Sequence, residues 1–136
     1  MRIFLDTNVL VSAFASRGLS ADLLEVVTIE HELVTGRGVL KELERALRIK
    51  LKVPASRCAE VLELIASEAV SVVDGASAAD CDADEDDRLI LGEALAGDAA
   101  VFVTGDNDVV ALKMIGPMQI VTPRQLWDLL RRDEPK

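Results

Sequence analysis

Residues 1–10 read MRIFLDTNVL. Ile3, Phe4 and Leu5 form a short apolar run of the kind that makes a buried strand. The chain then meets Asp6, Thr7 and Asn8 before turning apolar again at Val9 and Leu10. A carboxylate at the end of an apolar strand is costly to desolvate unless something pairs with it. Either the strand ends at the surface, or Asp6 has chemical work to do. The plainer reading is an N-cap for a helix over Val9–Ala15, a position that Asp, Thr and Asn all favour.

Outward from this stretch, strand-like runs recur at Ile3–Leu5, Glu32–Thr35, Ala69–Val73, Ala99–Thr104 and Met118–Thr122. Helical patterns lie between them. Leu23, Leu24, Val26 and Val27 belong to one; Val39, Leu40, Leu43, Ala46 and Leu47 make an apolar arc in the next. Cys58, Val61, Leu62 and Ile65 repeat the pattern, as do Ile90, Leu91, Ala94 and Leu95. Pro123 is placed as the first position of a last helix through Trp127 and Leu130. Alternating strands and helices predict an α/β fold with a mainly parallel sheet covered on both faces. With 136 residues, no internal repeat and no Gly/Pro linker, the chain reads as a single domain over residues 1–136, with 133–136 a frayed tail.

Composition narrows the function. Half the residues are hydrophobic, which argues against disorder, and the longest apolar stretches are too short to span a bilayer. Asp6 interrupts what would have to be a signal peptide. Cys58 and Cys81 fit reduced thiols, so a cytoplasmic location is expected. With His31 the only histidine, zinc sites and His-based triads are poor fits. The net charge of −9 argues against wrapping nucleic acid by bulk attraction. Charge is uneven, however: residues 74–87 carry seven acids and no base, whereas residues 37–57 carry seven Lys/Arg against Glu42 and Glu44. That asymmetry permits a phosphate-facing surface.

In a parallel sheet of this kind, ligands sit beyond the carboxyl ends of the strands. Asp6 follows the first strand, an acidic stretch follows the third, and Asp106 and Asp108 follow the fourth. Each has a plain alternative. Glu42 and Glu44 lie at the two edges of one apolar arc, and periodicity does not choose between them. Residues 80–87 hold six acids; the helix dipole accounts for Asp86 or Asp87, and a charged loop for Asp80, Asp82 and Asp84. A calcium loop starting at Asp82, with Asp84, Asp86 and Glu93 at matching offsets, fails because Asp87 stands where glycine is required. Asp106 and Asp108 can simply shape a turn. If these acids meet, their mutual repulsion calls for a cation or raised pKa values, and oxygen donors without His or Cys point to Mg²⁺ or Mn²⁺.

LDTNVLVSA, VLKELERAL, DEDDRLILGEALAGDAAVFVTGDNDVVAL and QIVTPRQL, in that order, resemble the PIN domain nucleases, and more narrowly the VapC-like toxin components of toxin–antitoxin systems. The resemblance covers almost the whole chain. It implies a three-layer α/β/α sandwich, hydrolysis of RNA to a 5′-phosphate and a 3′-hydroxyl, a cognate antitoxin and a homodimer. It also implies catalytic, metal-holding acids at Asp6, Glu42, Asp87 and Asp106, with Asp108 accessory. Asn8 and Thr104, the latter in the Thr-Gly turn, would organise the site. A proline usual near Ala83 is absent. Arg37, Lys41 and Arg45, near Glu42, are candidate contacts to the RNA backbone or simply a solvated helix face.

Other classes compete. A haloacid-dehalogenase-type phosphatase also begins with a strand ending in Asp, but needs a second Asp two residues later, where this chain has Asn8. A receiver domain expects a carboxylate pair at the first strand end. A non-catalytic interaction module on the same fold is the alternative from outside enzymology.

Overall fold

The computed structural model describes residues 1–132, so the tail expected at 133–136 lies outside the described residues. Strand β1 (Arg2–Leu5) is followed by α1 (Thr7–Ala15), α2 (Leu19–Glu30), β2 (Glu32–Gly36) and α3 (Arg37–Arg45). A π turn (Ala46–Lys50) continues α3 and leads to α4 (Ala55–Glu68) and β3 (Ser71–Val73). Then come α5 (Glu85–Ala96), β4 (Val101–Val103), α6 (Asn107–Val110), β5 (Met114–Ile115), β6 (Met118–Val121) and α7 (Pro123–Arg132).

The strands form one sheet in the order β3-β2-β1-β4-β6-β5, parallel except for β5. Ile3, Phe4 and Leu5 are each 1% exposed or less although successive side chains point to opposite faces. Both faces of β1 are therefore covered, which is why its sequence is apolar without alternation. Phe4 stacks on Phe102 of β4 with ring centroids 5.4 Å apart. From β1 the chain runs outward to β2 and β3, then returns to the other side of β1 for β4. Right-handed crossovers travelling in opposite directions put their helices on opposite faces of the sheet. They also open a crevice outside the strand ends between β1 and β4, where the direction of travel reverses.

All five expected strands are present, three of them shorter than expected. Thr122 is a helix cap rather than a strand residue: its hydroxyl accepts the Gln125 N–H at 3.1 Å and its own N–H donates to Gln125 Oε1 at 2.9 Å. Strand β5 and the π turn have no counterpart in the sequence reading. The first is two residues long, closed on β6 by a turn at Gly116 with φ +55°. No described helix is long and apolar enough to cross a membrane.

Candidate active site

The crevice between β1 and β4 is built on Asp6. Its backbone N–H donates to the Val103 carbonyl at 2.9 Å, continuing the pairing of the two strands. The side chain then opens α1, with Oδ1 accepting the Thr7 N–H at 2.8 Å. Oδ2 accepts the Thr104 hydroxyl at 2.8 Å and the Asn8 amide at 3.2 Å. Asn8 Nδ2 also reaches Thr104 Oγ1 at 3.2 Å, and its Oδ1 accepts the Gly105 N–H at 2.9 Å. Thr104 Oγ1 in turn accepts the Asp106 N–H at 3.1 Å. This closed set of bonds fixes the end of β1 against the turn after β4. Asp6 is a helix cap and a crevice residue at once, so the two readings of its sequence are not alternatives.

The other acids arrive on separate elements. Glu42 projects from α3, where the Thr7 hydroxyl donates to Oε1 at 3.4 Å. Glu44 turns away and pairs with Arg48 at 2.9 Å. Asp87 stands in the first turn of α5, and its N–H donates to Asp84 Oδ1 at 2.9 Å. Asp84 is thus the N-cap rather than part of a merely charged loop, and Asp86 and Asp87 sit in the first turn, where the helix dipole favours them. Asp106 caps α6 by accepting the Asp108 N–H at 2.9 Å. Asp6, Glu42, Asp87 and Asp106 line a single cleft of about 570 Å³, together with Thr7, Asn8, Val11, Ser12, Arg45, Ala46, Ile49 and Lys50. Asp108 is exposed and does not line it.

Carboxylates that share a partly buried cleft hold their protons more tightly. Burial, chiefly, with the charge of Asp106 added, raises Asp6 above the usual carboxylate range, against hydrogen bonds from Thr104, Thr7 and Asn8 that lower it. Burial and then Asp6 raise Glu42. Asp87 is raised to about 6, by burial first and then by Asp84, Asp106 and Asp6. Among the described residues, no three His, Cys, Asp or Glu side chains stand close enough to hold an ion as placed. The acids share a cleft rather than a finished cage.

The candidate phosphate contacts divide. Arg45 lines the cleft, whereas Arg37 and Lys41 line a separate groove with Leu40, Glu44, Leu62 and Glu63, against α4. At about 100° per residue, Lys41 and Glu44 fall within about 40° of Arg37 on α3, while Glu42 lies about 140° away. Nearness to Glu42 in sequence is thus not nearness on the helix surface, and these two cations face α4 rather than the acids.

Two polar residues escaped the sequence reading. Thr7 was seen only as part of a capping tripeptide, although a hydroxyl between Asp6 and Asn8 was the available signal. Glu93, seen only in the rejected calcium loop, is 8% exposed. Its Oε2 accepts the Gly38 N–H at 2.8 Å and Oε1 the Val39 N–H at 3.4 Å. Helix α3 has no side-chain cap of its own, and Glu93 supplies one from α5. A Cβ at Gly36 would collide with the Glu93 carboxyl group, and one at Gly38 would lie 3.1 Å from its oxygens. The signal was an acid inside the apolar run LILGEAL, facing a Gly-x-Gly elsewhere in the chain.

The PIN domain family model matches residues 2–108, well over half of the chain. The chain belongs to the PIN domain family. Among solved structures, VapBC2 from Rickettsia felis bound to a DNA fragment from its promoter matches with a TM-score of 0.63 and 18% identity, over 90% of this chain and 98% of that one. VapBC-1 from nontypeable Haemophilus influenzae matches with a TM-score of 0.62 and 16% identity, over 91% and 99%. At these identities the likeness is one of fold. No curated protein sequence matches. Membership of the PIN family leaves the phosphatase and receiver readings without support. Asn8 is in any case committed through both ends of its amide to Asp6, Thr104 and Gly105.

Proposed function

We propose that this PIN protein is a Mg²⁺- or Mn²⁺-dependent endoribonuclease and the toxin of a toxin–antitoxin pair. The observation that carries the reading is the arrival of Asp6, Glu42, Asp87 and Asp106, from four separate elements, at one cleft. The donor set suits the ion: hard carboxylate oxygens, with no His or Cys on the cleft. Mg²⁺ keeps several of its waters and needs only one or two carboxylates directly. Acids that line a cleft without forming a tight cage are compatible with that mode of binding.

When bound, such an ion polarises a phosphoryl oxygen and lowers the pKa of a coordinated water. The protein's part is to hold the acids in place. Thr104 and Asn8 fix Asp6, leaving Oδ1 with a single donor, the Thr7 N–H, and so with a lone pair free. Thr7 steadies Glu42, Asp84 holds the first turn of α5 that carries Asp87, and the Thr104–Asp106 bond sets the position of Asp106. The VapBC structures sharing this fold support a cognate antitoxin; a homodimer, which the family resemblance implies, and a cytoplasmic location, which the two unpaired cysteines suit, are parts of the same proposal.

Labelled RNA incubated with and without Mn²⁺ tests the reading. Cleavage should require the ion and fall at least a hundredfold in Asp6→Asn, with the fold intact by circular dichroism. A non-catalytic PIN module is favoured by one observation, that no three acids are gathered closely enough to hold an ion as placed. Absence of ion-dependent cleavage in a folded wild type would decide for that reading.

A further inference from the structure

Asp6 and Asp106 are tied together through Thr104 and Asn8, but those bonds reach neither Glu42 nor Asp87. Glu42 and Asp87 are carried on α3 and α5, so their spacing across the cleft depends on how these two helices sit. Val39, Leu40 and Leu43 hold α3 to the core by apolar contact, which is non-directional and fixes neither the height nor the rotation of a helix. The Thr7 hydroxyl reaches Glu42 at 3.4 Å, a long contact. Glu93 supplies the directional hold. From α5 its carboxylate accepts the Gly38 N–H at 2.8 Å and, less closely, the Val39 N–H at 3.4 Å. Glu42 stands one turn beyond Gly38, about 6 Å along α3, and Asp87 stands about 9 Å before Glu93 along α5. A serine or asparagine in place of Gly36 would cap α3 locally and bury no charge. Only a cap that comes from another helix also fixes α3 against that helix.

We propose that Glu93 is a positioning residue: by holding the first turn of α3 against α5, it sets the separation of Glu42 and Asp87 across the cleft. This rests on the reading of those acids as ligands of one ion. Mg²⁺ demands near-octahedral geometry with ligands at about 2.0–2.1 Å, so carboxylates from two helices serve one ion only while the helices keep their places. Glu93 lines no part of the cleft and hydrogen-bonds to neither acid, so it acts through the backbone of α3 alone. Gly36 and Gly38 belong to the same device, because a Cβ at either would press on the Glu93 carboxyl group.

The test is a double-mutant cycle read by calorimetry with Mn²⁺ on the metal-free full chain. Glu93→Gln keeps the size of the side chain but replaces one acceptor oxygen by a donor. It should weaken Mn²⁺ binding about fivefold, although it removes no ligand. Glu42→Gln should weaken binding about tenfold in the wild-type background and only about twofold beside Glu93→Gln, because Glu42 is then already out of place. Leu130→Ala, in a buried position of α7 away from the cleft, is the control for a purely structural loss. It should lower the melting temperature through its cavity and leave Mn²⁺ affinity unchanged. Gly38→Ala keeps the Glu93 charge but sets a Cβ 3.1 Å from its oxygens; it should weaken Mn²⁺ binding about threefold and serves if Glu93→Gln does not fold. If Glu42→Gln weakens binding while Glu93→Gln and Gly38→Ala bind as wild type does, the positioning role is overturned and the ion site stands. A full tenfold effect of Glu42→Gln in both backgrounds overturns it in the same way. If wild type binds no Mn²⁺, or Glu42→Gln binds it equally well, the ion reading falls and the positioning role falls with it.

Discussion

Asp87 and Glu93 belong to the same helix, less than two turns apart, and the protein treats them in opposite ways. Glu93 is almost fully removed from water, yet two backbone N–H groups at the start of α3 point at its oxygens, and two glycines leave room for it. Burial, chiefly, with the charge of Asp74 added, raises its pKa, and those hydrogen bonds offset part of the rise. Asp87 is less buried but faces Asp84, Asp106 and Asp6, and its pKa climbs to about 6. A carboxylate answered by peptide dipoles holds the structure together. One set among other carboxylates stands where an added cation would relieve the repulsion, as the proposed function requires.

The largest effect should come from breaking the satisfied member. Glu93→Ala leaves the first N–H groups of α3 unpaired in a buried space and should destabilise by about 3 kcal/mol in urea unfolding. Gly36→Ala should also destabilise, through collision with Glu93, and by much less when Glu93 is already alanine. Additive effects of the two substitutions would mean that the glycine is not making room for the carboxylate.

Next in size is a pH effect at the unsatisfied member. The unfolded chain binds the Asp87 proton with a pKa near 3.8, the folded chain with a pKa of about 6. Between those values the folded state carries more of the proton, so stability falls as pH rises through the interval. In metal-free protein, melting temperature should therefore drop from about pH 4 to about pH 6.5 more steeply in wild type than in Asp87→Asn. Parallel profiles would remove Asp87 from the repelling set. The smallest effect belongs to Asp6→Asn without metal, expected within about 0.5 kcal/mol of wild type or above it. Asn caps helices as well as Asp does, and the substitution removes a charge that burial, chiefly, and Asp106 disfavour. A clear loss of melting temperature would show that the Asp6 charge is structural.

The outline of this molecule was readable because unalternated apolar runs such as Ile3–Leu5 can only be covered on both faces, and because acids at strand ends mark the productive edge of a parallel sheet. The choice of Glu42 over Glu44 was not a matter of periodicity. It came from resemblance to the family; the structure places Glu42 on the cleft and Glu44 against Arg48. What stayed hidden depends on pairing across sequence distance. Glu93 meets Gly38 across 55 residues, and an isolated acid in an apolar helix does not announce its partner. Arg37 and Lys41 line a different groove from the acids because closeness along a helix is not closeness around it. The π turn changes the helix period just where Ile49 and Lys50 enter the cleft, and a pattern read at 3.6 residues per turn does not reveal it.

Titration calorimetry with Mn²⁺ on metal-free protein tests most directly whether the four acids serve one ion. Wild type should bind at a saturable site, and Asp6→Asn, Glu42→Gln, Asp87→Asn and Asp106→Asn should each weaken that same site about tenfold or more. Binding of equal strength in wild type and all four folded variants would show that the ion resides elsewhere, and would contradict the account.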